Sequence, residues 1–95
     1  MRILTFTQAG KLDGLGHLKR SRIIKDMIDK DFNLINYLYV LLDSYDNIFF
    51  NNFNERSIGN NFDEIVALIH TLKPTLIIID LNYKNLNFRI KDLIV

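Results

Sequence analysis

Residues 75–80 read TLIIID, four consecutive apolar residues closed by an acid. A run without alternation is not a strand with one wet face. It suits a parallel strand covered on both faces, which requires helices above and below the sheet. Upstream of it lies a well-marked helix. Asn61 followed by Glu64 has capping-box spacing, and Asp63 also falls in the first turn. Phe62, Ile65, Val66, Ile69 and Leu72 form one apolar stripe, and Pro74 stands where a helix stop belongs.

The rest of the chain extends the same alternation. Arg2 to Thr7, RILTFT, is short, apolar and β-compatible. From His17 to about Lys30, Leu18, Ile24, Met27 and Ile28 recur at helical spacing among charged residues. Asn36 to Asp43, NYLYVLLD, is a β-rich run that ends in an acid. The stretch SYDNIFFNNFNERSIG reads as a long loop with a short edge strand at Ile48 to Phe50. The tail NLNFRIKDLIV reads as a further helix and then a further strand. The order β-α-β-(β)-α-β predicts an α/β fold with a parallel, Rossmann-like sheet, flanking helices and right-handed crossovers. At 95 residues, with 48% hydrophobic residues, the chain makes one small domain over residues 1–95 and not two.

Composition narrows the function classes. The net charge of +1, from 12 basic and 11 acidic residues, gives no electrostatic reason to expect nucleic acid as a partner. With no cysteine there is no disulfide, thiolate metal site or thiol chemistry, which fits a reducing, cytoplasmic setting. No apolar run approaches the ~20 residues of a membrane span. The asparagine clusters NNFN and GNNF fit the codon bias of an AT-rich gene better than a recognition surface.

In parallel sheets, ligands gather beyond the carboxyl ends of the strands. Three features fall there: the loop after the first strand, Asp43 and Asp80. The loop reads QAGKLDGLGHLKRSR, with Gly10, Gly14 and Gly16 leading into His17. It is not a Walker loop, because Gly10 and Gly14 are too close and no Lys-Ser/Thr follows. It is not a dinucleotide fingerprint, because Lys19 stands where the third glycine belongs. What remains is Gly14-Leu15-Gly16-His17 with Arg20 one turn later. Gly14 and Gly16 let a ligand approach the backbone closely. The positive end of the helix favours a neutral imidazole at His17, as a general base needs. Arg20, three residues on, lies on roughly the same face and can hold an anion beside it. The same spacing also fits an ordinary tight turn with a surface histidine. Asp80 serves either as a site acid or as a cap for the following segment, and Asp43 has the same two readings. His70 is expected to face solvent late in its helix. Phe49, Phe50 and Phe53 fit the filling of gaps beneath a loop.

The residues Gly14-x-Gly16-His17-x-x-Arg20 after a first strand resemble the signature of the UDP-sugar hydrolase of pseudaminic acid biosynthesis and its spore-coat polysaccharide relatives. KPTLIIIDLN, Lys73 to Asn82, is similar to that family's Lys-Pro-Asp-hydrophobic-Asp strand. The placing of Tyr83 leans toward the spore-coat relatives. The lipid II-forming N-acetylglucosaminyltransferase is similar in architecture. The resemblance implies the first half or more of the N-terminal domain of a GT-B enzyme, whose cleft lies between two Rossmann-like domains. It implies His17 as catalytic base, activating water or an acceptor hydroxyl against the anomeric carbon of a UDP-linked amino sugar. It implies Gly14, Gly16, Arg20, Asp80 and Asp13 as substrate-binding residues, with no metal and no cofactor. In this family the nucleotide is held mainly by a C-terminal domain. The resemblance therefore implies an incomplete unit that works with a further domain or a partner chain. The alternative expectation is a non-catalytic α/β module, either a truncated remnant or a subunit of a split enzyme. A receiver-type signalling domain would need an acidic pair after the first strand, and TFTQAG has none.

Overall fold

The computed structural model describes residues 2–10, 16–32, 35–42, 54–59, 61–81 and 88–93. Strand β1 (Arg2–Ala9) leads into helix α1 (Gly16–Asp31), then strands β2 (Ile35–Leu42) and β3 (Glu55–Ile58). Helix α2 (Phe62–Leu72) and strand β4 (Leu76–Asp80) follow, and a short 3-10 turn spans Ile90–Leu93. The four strands form one sheet in the order β3-β2-β1-β4, every pair parallel. The chain is an α/β protein with a small Rossmann-like sheet and flanking helices. None of the described helices is long and apolar enough to cross a membrane.

The strand order creates a switch point. From β1 the chain steps outward through β2 to β3, then returns to the other side of β1 for β4. The crevice between the carboxyl ends of β1 and β4 is where a sheet of this kind leaves room for a ligand. Register puts Thr7 opposite Asp80 at that point. β1 closes at Gly10, whose φ of 140° is open to glycine alone at no cost.

The two faces of the sheet differ in chemistry. Leu4, Phe6, Leu41 and Ile65 form the buried apolar core on one face, with Tyr37, Tyr39, Ile77, Ile79 and the stripe of α2 packed around it. α2 begins as its sequence indicates: the Asn61 side chain accepts from the Glu64 amide at 3.2 Å. It ends with Lys73 in the left-handed region at φ 47°, its N–H bonded to the Ile69 carbonyl, so Pro74 follows a finished helix. The other face is smaller and more polar. Ala9, Leu18, Leu38 and Val40 form its apolar cluster. Thr5, Thr7 and Asn36 are buried in β1 and β2 at the alternate positions that share this face.

Several expectations change here. α1 forms, but its inward residues are Leu18, Ser21 and Lys25. Ile24 and Met27, read as part of an apolar face, are 39% and 62% exposed. Polar anchors explain the rotation. Arg22 reaches Glu55 through two bonds of 3.0 Å, and Asp29, paired with Lys25 on the same helix, accepts from Asn36 of β2. Residues 55–58, read as loop, form the edge strand β3, with Leu38 to Leu41 opposite Glu55 to Ile58. The edge strand expected at Ile48 to Phe50 lies outside the described residues, as does Asp43. Among the described residues β4 stands at the edge of the sheet and is half-exposed, where cover on both faces was expected. Leu93 belongs to the 3-10 turn, where a terminal strand was expected.

Candidate active site

Gly16 and His17 open α1, the element that follows β1; Arg20 and Ser21 come one turn later on the same helix. Asp80 is the last residue of β4. The helix start and the strand end, some sixty residues apart in sequence, meet in one cluster. Nδ1 of His17 lies 2.8 Å from Oδ1 of Asp80. Arg20 grips the same carboxylate as a fork, Nη2 donating to Oδ1 at 2.7 Å and Nε to Oδ2 at 2.9 Å. Ser21 Oγ donates to Oδ2 at 3.2 Å. Nη2 of Arg20 also stands 3.1 Å from Nδ1 of His17.

Electrostatics follow from this geometry. Burial pushes the Asp80 carboxyl up, but hydrogen bonds from Arg20 and then His17, with their charges, outweigh it, and it sits below its ordinary value. The hydrogen bond to Asp80, then its charge, raises the Arg20 guanidinium further. Asp80 is therefore a carboxylate at neutral pH. His17 remains a quarter exposed and Arg20 more than half, so the cluster is open to a ligand on its outer side. Among the described residues, and apart from its chain neighbours and its own helix backbone, no heavy atom lies within 4 Å of where a Cβ on Gly16 would stand.

Of the site residues expected from sequence, His17, Arg20 and Asp80 are in mutual contact, and Gly16 is beside them. Asp13 and Gly14 lie outside the described residues. His70 is exposed in the last turn of α2, which leads into the amino end of β4, whereas Asp80 closes that strand. Sequence reasoning missed Ser21. Its signal was present: it is four residues after His17 and so shares the helix face that meets the sheet. Thr7, buried and facing Asp80 in register, has an Oγ1 with no hydrogen-bond partner among the described residues. No group of three or more acidic or histidine side chains able to hold a metal ion occurs among the described residues.

Fold and site together define a class: an open parallel-sheet α/β protein with a His-Asp-Arg cluster at its switch point. Comparison with protein-family profiles, curated proteins and solved structures gives no match to this chain.

Proposed function

We propose that this chain carries the base-bearing half of an enzyme that cleaves or transfers the sugar of a UDP-linked amino sugar, with His17 as general base. One observation carries the reading. The two stretches that resemble the nucleotide-sugar hydrolase family, one at residues 14–20 and one at residues 73–82, supply His17, Arg20 and Asp80 to a single cluster. That cluster stands at the crevice where parallel sheets bind ligands.

In the proposed reaction the imidazole of His17 takes a proton from water, or from an acceptor hydroxyl. The oxygen so activated forms a bond to the anomeric carbon. The bond from that carbon to the diphosphate oxygen breaks, and UDP leaves with the electron pair. Arg20, with guanidinium N–H groups beyond those on Asp80, balances negative charge near the sugar.

A second reading has its own support. Asp80 accepts from Arg20 and Ser21 and contacts His17, which also makes a fastener between α1 and β4 in a non-catalytic module.

The test is a titration of the chain with a panel of UDP-linked amino sugars, following UDP release together with the NMR signals of Gly16, His17 and Arg20. The enzyme reading expects shifts at these residues that depend on the sugar and are absent with UDP alone. Any turnover should fall by roughly 10²–10⁴-fold in His17→Ala. No response at these residues to millimolar UDP-sugar would favour the fastener.

A further inference from the structure

We propose that Asp80 and Arg20 compete for one atom, Nδ1 of His17, and that Asp80 wins, holding the proton on Nδ1 and leaving Nε2 as the proton-accepting nitrogen. The inference rests on His17 acting as a base; it specifies which atom acts and what sets it. It also moves Asp80 from an expected substrate-binding residue to a positioning residue.

Two contacts at Nδ1 exclude each other. Oδ1 of Asp80 is 2.8 Å away and Nη2 of Arg20 is 3.1 Å away. An ionised carboxylate only accepts, so a hydrogen bond to it requires a hydrogen on Nδ1. A guanidinium only donates, so a hydrogen bond from it requires a lone pair on Nδ1. Nδ1 of a neutral ring has one or the other. The same Nη2 donates to Oδ1 at 2.7 Å, so both nitrogens converge on one oxygen. Their 3.1 Å approach follows from sharing that acceptor. Ser21 and the Arg20 Nε hold Oδ2, which fixes the carboxylate and keeps Oδ1 aimed at the ring.

The balance depends on the negative charge. An amide at position 80 offers one acceptor oxygen where the carboxylate offers two. Arg20 needs that oxygen. Donors around Nδ1 then outnumber acceptors, and the ring is most cheaply accommodated by accepting from Arg20 at Nδ1. The proton moves to Nε2, where the lone pair was. A nearly isosteric change thus inverts the imidazole, as an asparagine does behind other catalytic histidines.

The experiment records long-range ¹H–¹⁵N spectra of the two imidazoles in the ¹⁵N-labelled chain, above the pH at which a titration shows each ring to be neutral. His70, exposed on α2, is the internal reference for an unclamped ring. Wild type should show His17 with a pyrrole-like Nδ1 and a pyridine-like Nε2. Asp80→Asn should invert that pattern, and Arg20→Ala should keep it. A His17 pattern like that of His70 in wild type, or no inversion in folded Asp80→Asn, overturns the proposal. If Asp80→Asn does not fold, the wild-type and Arg20→Ala spectra decide by themselves. Where UDP release is measurable, Asp80→Asn should lower kcat with KM within about twofold. A raised KM at unchanged kcat would make Asp80 a ligand contact and overturn the positioning role. The spectra read the tautomer without any substrate, so failure of the UDP-sugar reading leaves this result standing or falling on its own.

Discussion

Lys25 offers the sharpest test of how α1 is held. Its side chain is 2% exposed, on the sheet-facing side of the helix, and its ammonium pairs with Asp29 one turn later. Asn36 Nδ2 donates to the other oxygen of Asp29 at 3.1 Å, and Asn36 itself is buried. Asp29→Ala leaves a buried ammonium without its carboxylate and strips the Asn36 amide of its acceptor. Breaking a fully buried pair in this way costs about 3–5 kcal/mol. Asp29 is 34% exposed, so water can enter the vacated space, and the expected loss falls to about 2–4 kcal/mol. Lys25→Met keeps the stem volume and removes the charge that needs a partner. Asp29 keeps Asn36 and solvent, so this change should stay within about 1 kcal/mol of wild type, in either direction. Urea unfolding measures both. With a slope of about 1 kcal/mol/M for a chain of this size, Asp29→Ala should lower the midpoint by about 2 M or more. Equal losses in the two variants would refute the reasoning, because the cost would then come from packing. A loss under about 0.5 kcal/mol in Asp29→Ala would mean that the ammonium reaches water.

Three further outcomes follow from the same structure. Asp80 is held below its ordinary value in the fold, so its stabilisation is fully present above the unfolded value of about 4 and is lost as pH falls through the folded value. Stability against urea should therefore decline in acid more steeply in wild type than in Asp80→Asn, and parallel acid limbs would count against the cluster. Asn61→Ala removes the acceptor for the Glu64 amide and should cost about 1 kcal/mol, with Asn61→Asp close to neutral; denaturant midpoints check both. Phe6→Ala empties a fully buried position packed on Tyr39, with ring centroids 6.0 Å apart, and should cost about 3–5 kcal/mol, whereas Met27→Ala on the exposed side of α1 should move stability by about 0.5 kcal/mol or less.

By itself the sequence determined the architecture. Period and caps are local properties, so Asn61, Glu64 and Pro74 mark α2, and the apolar runs mark β1, β2 and β4 without tertiary context. It also marked His17, Arg20 and Asp80 as candidates, because helix starts and strand ends in such folds meet along one edge. What it left open needed the sheet. The orientation of α1 went to Ser21 and Lys25 over Ile24 and Met27. Glu55, Asn36 and Asp80 gave the helix polar anchors, the last of them sixty residues away from Arg20. β3 carries only four residues with two exposed, too short and too polar for a period-two signal; pairing with β2 makes it a strand. β4 reads like a central strand, but strand order is set by the path of the chain and places it at an edge. The state of the site was decided there as well. Whether Asp80 binds, caps or orients cannot be read from its neighbours in sequence; the 2.8 Å contact with Nδ1 of His17, contested by Arg20, exists only once β4 lies beside β1 and α1 packs on β1 and β2.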